Sequence, residues 1–389
     1  MKSPSNILLN IIAFIKKELI LTIAILLAVI SMFIIPPSAD YADYIDFNTL
    51  LLLFSLMAVV AGFQKLGLFS KIGTFLLSKI SSARQLMLIL VFLPFFFSML
   101  ITNDVALITF VPFAIVVLRL ADQEKLLLPL ITFQTIAANL GSMLMPMGNP
   151  QNLYLYGRSG LTLPAFIMLM LPLFLLSACI LLIAACCIKN APLSEIKIQD
   201  SGNQKTDEKI PLIPFFSYLF LLFLCILSVL KVLAPLWSAI IVSIYLLIKD
   251  RSLFRKIDYS LLATFVGFFI FIGNLSKVEA FRSALEKIIT DHEVYVAILS
   301  SQVISNVPAA LLLSGFTDRY SRLIIGTNLG GLGTLIASMA SLISYKQLAG
   351  EYPQKKTAYF ILFTVANLVM LGILLGAVIL LPSVFLGNR

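Results

Sequence analysis

Charge is what this chain has least of. Lys, Arg, Asp and Glu make up 12% of its 389 residues, about half the share a soluble protein carries to keep its surface wet. That scarcity excludes a water-soluble globular domain. There is one histidine, His292, set between Asp291 and Glu293 in a polar stretch. A single, loop-borne histidine leaves no paired-histidine metal helix and no Ser/His pair, so the intramembrane enzyme reading lacks its chemistry. The four cysteines, Cys179, Cys186, Cys187 and Cys225, sit inside apolar runs without metal-ligand spacing, where a thiol behaves as a small hydrophobe. No glycine-rich phosphate loop with its Lys-Ser/Thr ending is present, which argues against direct use of ATP. The formal charge of +9 is no nucleic-acid footprint, because the Lys and Arg residues lie in short loops between apolar runs.

What is there is apolar: 60% of the residues, arranged in runs of about the 20 residues a helix needs to cross a bilayer. Spans are expected at 18–35, 47–64, 126–157 (interrupted), 163–188, 211–231, 234–248, 258–276, 319–345 (interrupted) and 357–383. The first of these is too long for a signal peptide and lacks a small-x-small cleavage site before Pro36 and Pro37. Asp40, Asp43 and Asp46 mark the 36–47 loop as outward-facing. Lys65, Lys71, Lys79 and Arg84 mark the next connection as cytoplasmic. Carried along the chain, this puts the basic loop Lys249–Lys256 and the polar linker 189–210 inside. The stretches 65–83 and 277–291 are amphipathic and expected at the interface.

The linker is the one clear break in composition, with Pro192 and Gly202 and no apolar periodicity. It divides an N-terminal region with the first span (1–44) and a first repeat (45–188) from a second half (211–383) and a tail (384–389). The two sides are related. Asn139-Leu140-Gly141-Ser142 matches Asn328-Leu329-Gly330-Gly331 at an offset of 189 residues, which also pairs Gly148 with Ala337, Asn152 with Ser341 and Tyr156 with Tyr345. Thr102-Asn103-Asp104 matches Ser305-Asn306-Val307, and each triplet has a serine four residues before it, Ser98 and Ser301. With the charge-derived orientation, the halves run in opposite directions through the membrane, an inverted-repeat signature of secondary transporters.

The fold class expected is therefore an all-α polytopic membrane protein of two inverted repeats, each with a re-entrant hairpin and a broken transmembrane helix. The hairpins are 86–118 and 293–316, with the polar triplets at their tips. The broken helices are 126–157, interrupted by Met145-Pro146-Met147-Gly148-Asn149-Pro150-Gln151-Asn152, and 319–345, interrupted by Asn328-Leu329-Gly330-Gly331-Leu332-Gly333-Thr334. Non-helical backbone at membrane depth persists only where protein or a water-filled cavity surrounds it. Freed carbonyls and amide or hydroxyl oxygens suit a small cation, and the N-terminus of a broken helix suits an anion. Asn103, Asp104, Asn149, Asn152, Asn306, Thr334 and Ser338 are the candidate substrate contacts. Asp104 stands out, since a charged side chain at the bilayer centre costs about 2.5–3.5 kcal/mol on insertion scales.

The paired triplets, the serines ahead of them and the glycine-rich breaks resemble the ion transporter superfamily, over about 45–383. That group holds the divalent anion/sodium symporters and the related arsenite efflux and sodium/proton antiporter permeases. The resemblance implies two sodium sites, one of Ser98, Thr102, Asn103 and the Gly148 carbonyl, the other of Ser301, Ser305, Asn306 and the Ala337 carbonyl. The chain departs from the symporters at the third triplet position, where Asp104 and Val307 replace a threonine that contacts the substrate carboxylate. An unprotonated aspartate there repels a carboxylate, and the Asn-Asp pair looks like the arsenite permeases. The function implied is secondary transport of a small anion across the cytoplasmic (inner) membrane, coupled to Na⁺ or H⁺ by alternating access. The alternatives are arsenite or oxyanion efflux and sodium/proton antiport. No cofactor beyond a coupling Na⁺ is expected. The expected partners are the anion, membrane lipid and a second copy of the chain, with no nucleic acid.

Overall fold

The computed structural model describes residues 18–77, 80–192 and 210–385. Lys79, residues 193–209 of the linker, the first 17 residues and the tail beyond 385 lie outside the described residues. Among the described residues every regular element is a helix, and one isolated bridge joins Ser82 to Pro192. The first half comprises α1 (Leu19–Met32), α2 (Phe47–Lys65), α3 (Leu68–Leu77), α4 (Ala83–Ile101), α5 (Asn103–Leu120), α6 (Leu127–Ser142), α7 (Pro150–Ser159) and α8 (Leu163–Cys186). The second comprises α9 (Leu212–Val229), α10 (Pro235–Lys249), α11 (Tyr259–Ser276), α12 (Glu279–Ile289) and α13 (Glu293–Ile304). It continues with α14 (Asn306–Leu313), α15 (Tyr320–Gly330), α16 (Met339–Glu351) and α17 (Lys356–Leu380).

Seven helices among the described residues are long and apolar enough to cross a membrane: α2, α4, α5, α8, α9, α11 and α17. The protein is polytopic and all-helical. Two runs that read as spans form shorter helices. α1 has 14 residues and α10 has 15, a rise of about 21–22 Å against a hydrocarbon core of about 30 Å. Proline sets one limit of each: α1 runs out ahead of Pro36-Pro37, and α10 cannot begin before Pro235. α1 lies along α11, and α10 lies along α2.

The starts of α2 and α11 show how alike the two halves are. Asp46 caps α2 by accepting from the Thr49 N–H at 3.0 Å, and Asp258 caps α11 by accepting from the Leu261 N–H at 2.9 Å. The two caps share one backbone conformation, φ −79°, ψ 84° and φ −80°, ψ 84°. At their far ends, Lys65 pairs with Asp250 at 2.6 Å and Lys277 with Asp40 at 3.0 Å.

The middle of the molecule is built from α4–α7 and α13–α16. α4 packs on α6, and α13 on α15. Helix association in lipid depends on close approach and polar contacts, because lipid tails are as apolar as leucine. Glycine permits that approach at matched places. A Cβ at Gly141 would overlap the Phe95 carbonyl of α4, and one at Gly330 would overlap the Ser301 side chain of α13.

Candidate functional site

Four interruptions of helix meet in the interior, at residues 102, 143–149, 305 and 331–338. Each falls on a local cause. Pro146 and Pro150 supply no N–H to continue α6 into α7, and Gly331 and Gly333 weaken the run between α15 and α16. Between the arms of each helix pair the interruption is a single residue. Thr102 has φ 70°, ψ 151°, and Ser305 has φ 73°, ψ 154°. This region of backbone space is occupied almost only by glycine and costs other residues roughly 1–3 kcal/mol. Two non-glycine residues at corresponding positions adopt it to within 3° in each angle.

The side chains flanking these points are buried and bonded to one another across the halves. Asn103 donates through Nδ2 to the Asn139 Oδ1 at 2.9 Å, and the Ser338 hydroxyl donates to the same oxygen at 3.1 Å. Asn139 Nδ2 lies 3.4 Å from the Gly331 carbonyl. On the other side, Asn149 donates to the Asn328 Oδ1 at 3.1 Å and to the Ser142 hydroxyl at 3.1 Å. Asn328 donates in turn to the Asn152 Oδ1 at 2.6 Å. Asn149 also caps α7, accepting from the Asn152 N–H at 2.9 Å. Buried amides in so small a space need this mutual satisfaction, since an unpaired one costs about 1–3 kcal/mol. The Gln151 Oε1, in the first turn of α7, is buried without a hydrogen-bond partner among the described residues.

The tip between α13 and α14 closes on the second break. The Ala337 carbonyl accepts from the Asn306 N–H at 2.9 Å and from the Ser305 hydroxyl at 3.5 Å. The Ser305 N–H bonds the Ser301 carbonyl at 3.0 Å, and the Ser301 hydroxyl donates within its own helix to the Ala297 carbonyl at 2.7 Å. In the first half, Ser98 is fully buried and its hydroxyl donates to the Phe95 carbonyl at 3.0 Å. α4 packs against the 146–148 turn that holds Gly148, and no hydrogen bond among the described residues joins Gly148 to Ser98, Thr102 or Asn103. Thr334 engages neither tip. Its N–H and hydroxyl bond Gln302, at 2.9 and 3.3 Å. Asp104 is half-buried, lies in the first turn of α5 with its N–H on the Asn103 Oδ1 at 3.0 Å, and makes no ion pair among the described residues. Asn139, Asn328, Ser142 and Gln302 are central here without having been singled out as contacts. The repeated Asn-Leu-Gly motif carried the signal for the first two.

The comparisons with known proteins agree on one class. A family model described as citrate transporter matches residues 9–318. The chain is 30% identical to the inner membrane protein YbiR of Escherichia coli over 78% of its own length and 80% of the relative's. It is 31% identical to an uncharacterized transporter of Methanocaldococcus jannaschii over 79% and 82%. A shorter similarity, 34% over 36% of this chain and 28% of the relative, links it to the silicon efflux transporter LSI3 of Oryza sativa. The chain belongs to the citrate transporter family, and it is a multi-pass integral protein of the inner membrane.

Proposed function

We propose that this member of the citrate transporter family is a secondary active transporter of a small anion, coupled to Na⁺ or H⁺, working by alternating access between two inverted repeats. One observation carries the reading. Under the 189-residue offset, Asn149 corresponds to Ser338 and Asn328 to Asn139. The structure joins Asn149 to Asn328 and Ser338 to Asn139. Exchange of partners in this way is what a two-fold relation between halves produces. The helix contacts exchange likewise: α1 on α11 and α10 on α2, α5 on α16 and α14 on α7. A centre made of two equivalent, oppositely directed parts can be offered to either side of the membrane by the same motion reversed.

In this reading Ser301, Ser305, Asn306 and the Ala337 carbonyl hold one coupling cation. Ser98, Thr102, Asn103 and the Gly148 carbonyl hold the other. The substrate lies between the tips, against Asn103, Asn149, Asn152, Asn306 and Ser338, with the N-termini of α5, α7 and α14 directed at its negative charge. A second reading, export of a neutral oxyacid, is favoured by Asp104, whose charge beside the same tip opposes an anion. The similarity to a silicon efflux transporter fits it.

The test is a thermal-stability screen of the purified chain against citrate, succinate, phosphate, sulfate, arsenite and silicic acid, with sodium and pH varied. It is followed by uptake of the stabilising compound into proteoliposomes. Asn103→Ala and Asn306→Ala should each abolish gradient-driven uptake while the protein stays folded and inserted. Wild-type uptake in either variant overturns the assigned role of that asparagine.

A further inference from the structure

The two broken helices are held in different ways. In the first, Pro146 and Pro150 fix the backbone between α6 and α7 through their own rings. The second has no proline between Gly330 and Met339, and it has glycine at 330, 331 and 333, the residue type with the most conformational freedom to lose. Something else must order it.

Gln302, on the last turn of α13, does so. Its Nε2 donates to the Gly330 carbonyl at 3.1 Å and the Leu332 carbonyl at 2.9 Å, with the Ile298 carbonyl of its own helix at 3.2 Å. Its Oε1 accepts from the Thr334 N–H at 2.9 Å, and its backbone carbonyl accepts from the Thr334 hydroxyl at 3.3 Å. That carbonyl is one of those a helix C-terminus leaves without an internal partner. Gly333 completes the fit, because a Cβ there would run into the Gln302 amide. The same pair of helices grips the break again at its other end, where Asn306 and Ser305 bond the Ala337 carbonyl. The 203-residue offset that pairs Ser98 with Ser301 puts Met99 opposite Gln302, and a thioether cannot donate to carbonyls.

We infer that Gln302 is the positioning residue of the second break, an amide strut that replaces the ring constraint used in the first, and that it sets the carbonyl geometry of the second cation site without touching the ion. The functional half of this inference rests on the reading of the break as part of the transport centre.

The test uses the full chain in detergent or nanodiscs and three variants: Gln302→Met, Gln302→Asn and Gln302→Met/Met339→Pro. The last moves the proline of the first half to its corresponding place. Met339 is the first residue of α16, where an N–H has no helical partner, and Ser338 before it is extended at φ −140°, ψ 137°, as a residue preceding proline must be. Amide hydrogen exchange should rise at 331–338 in Gln302→Met, less in Gln302→Asn, and fall back in the double variant, with α4–α7 unchanged. Titration with NaCl against choline chloride, read as a thermal shift, should show half-saturation moving up about tenfold in Gln302→Met and recovering in the double variant. Unchanged exchange at 331–338 overturns the inference. So does exchange rising uniformly through α13 and α15, or a sodium midpoint that Met339→Pro does not restore. If the wild type shows no sodium-specific shift, the sodium reading of the centre fails, and the exchange data decide the role of Gln302 by themselves.

Discussion

Thr102 and Ser305 carry a backbone conformation that glycine would adopt more easily, and both carry hydroxyls that glycine lacks. Strain of this kind persists only where the surroundings over-determine it, and the role proposed for the two tips would account for its retention at both. Asp104 follows one of these points and has no counterpart in the other half, where Val307 stands. Its carboxylate makes no ion pair among the described residues. We expect it to gain and release a proton in transport, alone or beside sodium. Asp104→Asn keeps size and hydrogen-bonding capacity but cannot ionise. Such a protein should still bind substrate, measured as a thermal shift, while losing the pH dependence of uptake and any accumulation driven by a proton gradient. A variant that accumulates substrate with the wild-type pH profile would reduce Asp104 to a turn residue.

Elements meet where their side chains are smallest. Gly141 and Gly330 let α6 lie on α4 and α15 lie on α13, and the overlap a Cβ would make is with backbone at Gly141 and with a serine side chain at Gly330. Backbone yields less readily than a side chain. Gly141→Ala should therefore destabilise by about 1–3 kcal/mol and Gly330→Ala by less, measured by denaturation in the same detergent. The sequence announces where helices stop, because proline, glycine and asparagine act locally: the interruptions at 143–149 and 331–338 fall on clusters of them, and those at 102 and 305 each precede an asparagine. It does not announce the lengths that survive. α4 and α5 have 19 and 18 residues, whereas α13 and α14 have 12 and 8, so the first pair is long enough to cross a bilayer and the second is not. Nor does it announce Gln302 or the bonding of Asn149 to Asn328, since those pairings join residues 28 to 179 positions apart and exist only once the halves are packed.

At the scale of the whole molecule, two ion pairs repeat the exchange of partners seen in the centre. Lys65, ending α2, reaches Asp250 just before the second half of its scaffold turns back, and Lys277, following α11, reaches Asp40 between α1 and α2. The Lys277 ammonium holds the Asp40 carboxyl below the usual carboxylate range. Partial burial pushes Asp250 up, and the bonds from Lys65 and Ser252 outweigh it and hold it below. A carboxylate lowered on folding stabilises above its unfolded value, about pH 4, and loses that contribution as pH falls through the folded one. Both pairs therefore persist at neutral pH. Solvent screens exposed pairs of this kind, so their interest is in sidedness rather than strength. The Lys65 pair adjoins a strongly basic loop, Lys249, Arg251, Arg255 and Lys256, and the Asp40 pair adjoins an acidic one, Asp40, Asp43 and Asp46. The excess of Lys and Arg belongs on the cytoplasmic side. If the halves are inverted, the two ion pairs lie on opposite faces of the membrane. Cysteines placed at Ala42 and at Ser252, after replacement of Cys179, Cys186, Cys187 and Cys225, should label with a membrane-impermeant maleimide from opposite sides. Ala42→Cys should react in intact cells and Ser252→Cys only in inverted vesicles. Labelling of both from one side would end the inverted arrangement, and with it the account of how one centre serves two faces.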